Sequence, residues 1–250
     1  EKLLEKKDLT QQEARKAMFQ IMSGEYDDSQ ISGFLIALRS KGENFEEIAG
    51  FAQAMRDKMT EIECVEGAID MCGTGGDALG TFNISTAASF VVAGCGVPVA
   101  KHGNRSMTSK SGSADVLNAL GINIALDPEK VTDCINNIGI GFMFAPALHP
   151  AMKFAMGARK SLAIRTVFNI LGPLCNPANV KRQLMGIFDS SFTDTVAKVL
   201  QRLGSIHAMV VHGNDGLDEI SITDSTIFSE LKPDGIIYSG SIDPFSFNIN

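Results

Sequence analysis

From Val65 onward the chain repeats one pattern, in which short apolar runs alternate with segments of helical spacing and glycine becomes frequent. The apolar runs lie at 68–71, 97–100, 122–126, 140–144, 184–188 and 208–211, and the helical segments near 84–94, 111–120, 128–138, 150–162 and 192–203. Apolar runs this short, bounded by turn residues, read as strands buried on both faces. Asp127 before Pro128 supplies a helix cap and a proline at the first helical position. The alternation therefore predicts an α/β unit over 66–250, with a central, partly parallel sheet flanked by helices.

The first 60 residues follow different rules. Thr10 with Glu13 forms a capping box ahead of Ala14, Ala17, Met18 and Ile21 on one helical face. Asp28 and Ser29 precede Ile31, Phe34, Leu35 and Leu38, and Asn44 with Glu47 precedes Ile48, Phe51, Ala52 and Met55. Three amphipathic helices in succession make a small helical unit over 1–65. Their apolar stripes serve an internal core or a second copy of the chain, and the internal core is the simpler reading. Residues 168–180, with two prolines and three asparagines, read as an irregular connection or hinge, and the segment near 165–180 is expected to join the helical unit.

Charge and cysteine usage narrow the function. Against 22 Lys and Arg stand 29 Asp and Glu, a net charge of −7, which disfavours a general nucleic-acid or membrane-surface binder. With 44 % apolar and 20 % charged residues the chain is neither disordered nor collagenous. Five cysteines without a CxxC pair suggest neither a disulfide framework nor a zinc site. The weakly polar run at 86–100 is too short to span a bilayer and is broken by Pro98. Together with a charged N-terminal stretch lacking a signal-peptide pattern, these features read as a cytoplasmic protein with reduced thiols.

The chemistry concentrates at 70–114. Asp70-Met71-Cys72 closes a strand, Gly73-Thr74-Gly75-Gly76-Asp77 turns, and Asn83-Ile84-Ser85-Thr86 opens a helix. Glycines after a strand let backbone N–H groups converge on an anion, and a helix N-terminus adds donors and the positive end of a dipole. Between Asp77 and Asp115 there is no acid, while Lys101, His102, Arg105 and Lys110 lie in that interval. A local cationic stretch in an acidic chain suits a small polyphosphate. The Walker pattern is absent. Residues 73–78 match GxGxxA, but no acid follows at the distance a dinucleotide ribose requires, so a dehydrogenase is disfavoured.

The motifs DxCGTGGD, NIST, KHGNR with SGSADVL, IRTVFNILGPLCNP and DE, in that order, resemble the anthranilate phosphoribosyltransferase family to about residue 225. The resemblance implies a small N-terminal helical domain hinged to a larger α/β domain, a fold shared with pyrimidine nucleoside phosphorylases, and a homodimer through the helical part. It implies transfer of a phosphoribosyl group from phosphoribosyl pyrophosphate (PRPP) to anthranilate, with Mg²⁺. Gly73 would sit where the two substrates meet. PRPP would be held by Gly76, Asp77, Thr81, Asn83, Ile84, Ser85 and Thr86. A flexible loop over it would comprise Lys101, His102, Gly103, Asn104, Arg105, Ser106, Met107, Thr108 and Ser109, with Ser113 just beyond. Asn104 and Arg159 would touch anthranilate, and Ser85, Asp218 and Glu219 would serve the metal. Thr108 stands where serine is usual. Family members extend further at the C-terminus, and by motif the likeness fades after about Leu231.

Several of these residues have plainer readings. Arg159 beside Lys160 is also what a solvated helix surface looks like, but a guanidinium fork matches a carboxylate on a flat ring as an ammonium cannot. Arg165 is a rival for that role. Asp218-Glu219 reads as an acidic turn or as a pair serving Mg²⁺, which commonly takes one or two carboxylates with substrate phosphates. His102, His149, His207 and His212 lack zinc-site spacing; His102 and His149 are placed at the border of the anthranilate site. No Ser–His–Asp or Cys–His constellation is visible, and no general acid or base is assigned. The rival readings are a nucleoside phosphorylase, disfavoured by HGNR in place of KHSTGG, and a catalytically silent nucleic-acid-binding relative, disfavoured by the net charge.

Overall fold

The computed structural model describes residues 1–75, 82–105 and 112–249. Three helices come first: α1 (Gln11–Met22), α2 (Asp28–Lys41) and α3 (Phe45–Arg56). Each starts with a reciprocal capping box, Thr10 with Glu13, Asp27 with Gln30 and Asn44 with Glu47. Their apolar stripes, including Met18, Ile31, Leu35 and Phe51, are buried together. Glu47 is buried as well: its carboxylate takes the Leu9 and Asn44 N–H groups and the Lys41 ammonium, at 2.9, 3.0 and 2.8 Å.

The α/β part begins at β1 (Ile69–Gly73) and continues through α4 (Ile84–Gly94), β2 (Val99–Gly103), α5 (Ser113–Ala119), α6 (Pro128–Asp133), β3 (Ile140–Phe144), α7 (Ala145–Leu148), α8 (Lys153–Leu162), α9 (Phe168–Leu174), β4 (Arg182–Gly186), α10 (Thr193–Arg202), β5 (His207–Gly213), β6 (Thr226–Leu231) and β7 (Ile237–Ile242). Among the described residues the strands form one sheet in the order β3-β2-β1-β4-β5-β6-β7. The first five are parallel, and β6 and β7 add an antiparallel edge. From β1 the chain goes to β2 on one side, and β4 later takes the other side. That reversal opens a crevice beyond the strand carboxyl ends, where ligands bind in open parallel sheets.

Three expectations need correction. Residues 122–126 do not join the sheet; after Gly121 turns at φ +79°, Ile124 packs beside Ala114 and Leu117. A five-residue apolar run cannot by itself distinguish a strand from a packed loop. Residues 168–174 form a helix despite Pro173, because Phe168, Ile170, Leu171 and Leu174 bury an apolar face against the N-terminal helices. Lys101, His102 and Gly103 are the end of β2, paired with Phe142, Met143 and Phe144, and not part of a loop. The strands β6 and β7 were missed, although Lys232-Pro233-Asp234-Gly235 between them is a turn signature and Gly235 has φ +82°.

One continuous core joins α1, α2 and α3 to α8, α9, α10 and one face of β4, β5 and β6. A second, around Val131, Ile135 and Met143, packs α6 on β2 and β3. Glu47→Ala strands a buried Lys41 ammonium and the Leu9 and Asn44 N–H groups, and should cost about 3–5 kcal/mol, the range for breaking a buried pair. Urea unfolding of the variant checks this; a midpoint unchanged from the parent would show that Asp8, which also accepts from Lys41, suffices alone.

Candidate active site

A cleft of about 730 Å³ opens at the carboxyl ends of β1, β2 and β3, between them and α8 and α9. Its floor is built by close backbone approach. Gly73 ends β1 and pairs with Gly186 at the end of β4. Asp218 lies so near that a Cβ on Gly186 would overlap its carbonyl oxygen, and a Cβ on Gly73 would collide with its Oδ2. Asp218 is buried, and its Oδ2 accepts the Gly75 N–H at 2.7 Å. Gly75 has φ +67°, a conformation costly for any residue with a Cβ. Thr74 completes the turn, donating its N–H to the Gly186 carbonyl and accepting from Phe188 N–H, both at 3.0 Å.

Beside this floor starts α4. Its N-cap Asn83 makes no side-chain bond to the helix amides; its carboxamide oxygen instead accepts the Thr86 hydroxyl. Ser85 faces the cleft with its Oγ 3.3 Å from the Lys101 ammonium, which also donates to the Met71 carbonyl at 2.6 Å. Burial pushes the Lys101 pKa down, opposed chiefly by the charge of Asp70 and also by that of Glu219. The oxygen-rich set of Ser85, Asp218 and Glu219 is the donor chemistry of a hard cation such as Mg²⁺.

The opposite wall comes from α8 and α9. Arg159 is half-buried, with its guanidinium 5.1 Å from the centre of the Phe168 ring, while Lys160 beside it is exposed. Burial pulls Arg159 down, and among the described residues no carboxylate accompanies it. His102 and His149 stand between the walls, both buried, with Nε2 atoms 3.2 Å apart. Desolvation pushes His102 to about 3, helped by the charge of His149, and His149 to about 4.

Of the residues singled out in the sequence, Gly73, Asn83, Ser85, Lys101, His102, Gly103, Asn104, Arg105, Ser113, Arg159, Asp218 and Glu219 all line this one cleft. Arg165, the rival, lines it too, with its guanidinium over Phe188 at 4.7 Å. Thr86 is buried behind it and Ile84 lies along α4 without lining it. Gly76, Asp77, Thr81, Ser106, Met107, Thr108 and Ser109 lie outside the described residues. Sequence reasoning missed Phe168, Met156 and Pro146 as lining, since apolar residues on helices carry no mark separating cleft from core.

Comparison with known proteins gives the family. A glycosyl transferase family model, helical bundle domain, matches residues 1–59, and that family's a/b domain matches residues 65–250. The anthranilate phosphoribosyltransferase of Alkaliphilus metalliredigens is 54 % identical over 250 residues, all of this chain and 74 % of that protein. That of Acetivibrio thermocellus is 55 % identical over 238 residues, 94 % of this chain and 69 % of that protein. Among solved structures, the Thermus thermophilus enzyme of that name superposes with a TM-score of 0.90 at 38 % identity, covering 100 % of this chain and 74 % of its own. The Saccharomyces cerevisiae enzyme in complex with PRPP and Mg gives 0.87 at 29 % identity, covering 96 % and 69 %. The architecture and cleft are therefore those of a two-part glycosyltransferase, a helical bundle joined to an α/β domain. Within that class, the chain belongs to the anthranilate phosphoribosyltransferase family. The likeness, read by motif only to about residue 225, extends over the whole chain.

The histidine pair has a consequence for acid stability. Unfolded, each imidazole binds a proton near pH 6.5; folded, it does so only near 3 or 4. Between those values the unfolded state holds more protons, so stability must fall as pH falls through that window. His149→Gln should lose less stability than the parent between pH 6.5 and 4.5 in urea titrations. Parallel losses in both proteins would place the acid sensitivity elsewhere.

Proposed function

We propose that this chain transfers the phosphoribosyl group of PRPP to the amine of anthranilate, forming N-phosphoribosylanthranilate and pyrophosphate. The observation that carries the reading is the polarity of the cleft. One wall offers groups that bind oxygen, the Ser85 hydroxyl at the start of α4 and the Lys101 ammonium, beside the glycine turn that ends β1. The other sets the Arg159 guanidinium on the flat face of Phe168, with Arg165 over Phe188 also lining the cleft. A heavily charged pyrophosphate ester suits the first and an aromatic carboxylate the second.

In this reading the Gly73–Gly75 turn, Asn83, Ser85, Lys101 and Ser113 bind PRPP, while Asn104 and Arg159 orient anthranilate. Ser85, Asp218 and Glu219 would hold Mg²⁺, which neutralises charge building on the departing pyrophosphate. The C1–O bond to pyrophosphate breaks, and the amine forms the new C1–N bond from the opposite face. The amine is already neutral, so it needs no prior deprotonation and sheds its proton after attack. Electrostatic stabilisation and alignment do the work, with no general acid or base assigned. We take the helical unit (1–65, with the segment near 165–180) and the α/β unit (66–250) as the two bodies that enclose the cleft. A homodimer through the helical unit is part of this reading, and that unit leaves Leu4, Phe19 and Ile36 exposed. No described helix is long and apolar enough to cross a membrane, and we place the protein in the cytoplasm.

Anthranilate fluorescence should decay only when PRPP and Mg²⁺ are both supplied; unchanged anthranilate fluorescence, with release of free base from a nucleoside and inorganic phosphate, would make the protein a phosphorylase. Arg159→Ala removes a charge-assisted contact of about 1.5–3 kcal/mol, a rise of roughly 10- to 100-fold in the anthranilate KM. The KM for PRPP should barely move, and Arg159→Lys should recover only part of the loss. Equal losses for both substrates would mean a folding role. Asp218→Asn with Glu219→Gln should raise the Mg²⁺ concentration needed for half-maximal rate, whereas a parental Mg²⁺ response would reduce the two acids to a turn.

A further inference from the structure

Pro173 interrupts the last turn of α9, and side chains from separate parts of the fold converge on the carbonyls there. His102 of β2 bonds to the Gly172 backbone, and His149 to that of Cys175. Gln183 of β4 donates to the Pro173 carbonyl and Arg56 of α3 to that of Leu174, each at 2.8 Å. Asn176 follows, 2 % exposed; its Nδ2 donates to Asp70 Oδ2 at 2.8 Å and to the Ala100 carbonyl at 3.0 Å.

Asp70 lies on β1 three residues before Gly73, fully buried. Besides Asn176, its carboxylate accepts the His102 N–H at 3.1 Å and Gln183 Nε2 at 3.4 Å. Each of these nitrogens donates, and the Lys101 ammonium adds an attractive charge. Neither Asp70 nor Asn176 lines the cleft. Yet the two connect its walls. At its first residue, α9 carries Phe168 beneath Arg159; just past its last, Asn176 is bolted to the strands that carry Gly73 and Lys101.

We propose that Asp70 and Asn176 are positioning residues for phosphoribosyl transfer, fixing α9 against β1 and β2 so that the Arg159 wall and the Gly73–Lys101 wall keep one separation. The proposal rests on the reaction assigned above. In-line attack needs the amine about 3–3.5 Å from C1, and a misplacement of about 1 Å can cost about 100-fold in rate. Each substrate still meets its own wall when the junction loosens, so binding survives while alignment is lost.

The test is steady-state kinetics of Asn176→Ala and Asp70→Asn, per folded site, together with hydrogen exchange. Asp70→Asn turns an NH₂ toward groups that all donate; if it does not fold, Gln183→Met takes its place. The expected result is a kcat reduced about 10- to 100-fold with both KM values within about threefold of the parent. Faster exchange should appear at 172–178 and 99–103, with 11–56 and 207–213 unchanged. A parental kcat per folded site, or a rise in both KM values with kcat intact, overturns the proposal. If the parent protein transfers nothing, the assigned reaction fails on its own. The exchange measurement then decides the junction: confined loss of protection upholds it, and unchanged protection at 172–178 overturns it.

Discussion

Two neighbouring strands, β1 and β4, end in glycine at the same register, and Asp218 lies across both ends. A methyl group at either position would collide with Asp218. That absence of side chains lets an acidic loop, a glycine turn and the start of α4 share one small volume. In that volume the Asp218 carboxylate holds the Gly75 amide, and the sheet's carboxyl end is left rich in directed polar groups. An open parallel sheet gathers strand ends of one polarity on one edge, and the reversal at β1 and β4 leaves room for a ligand there.

Around that floor the fold must bury charges without letting them collapse onto each other. Asp70 and Lys101 are both almost entirely withdrawn from solvent, and each offsets the burial cost of the other. His102 and His149 are kept neutral by the same dry surroundings. Arg159 is the contrasting case, a cation set on an aromatic face at the cleft wall without an accompanying carboxylate among the described residues. The role proposed for Arg159, recognition of a substrate carboxylate, draws on that arrangement.

What could be read from residues alone followed the range of the interactions. Capping boxes at Thr10 and Asn44 act within one turn, so the starts of α1 and α3 were legible. The glycine turn and the Asn83 helix start were legible for the same reason. The apolar run at 122–126 and the proline-containing segment at 168–174 were misread, because their outcome depends on partners far along the chain. Phe168 escaped notice as lining of the cleft. A phenylalanine on a helix looks the same whether it faces a core, a cleft or solvent.

The sequence by itself determined the α/β class, the helical N-terminal unit, the glycine turn after β1 and, through ordered motifs, the family. These are encoded by periodicity, backbone freedom at glycine and local hydrogen bonding, which act over a few residues. Only the tertiary structure decided that Lys101 and His102 belong to a strand and that Arg159 faces the same cleft as Gly73. It also decided that Asn176 meets Asp70 across 106 residues of chain. Those contacts join distant segments, and their geometry follows from how the sheet twists, which strands end together and which buried donors find acceptors.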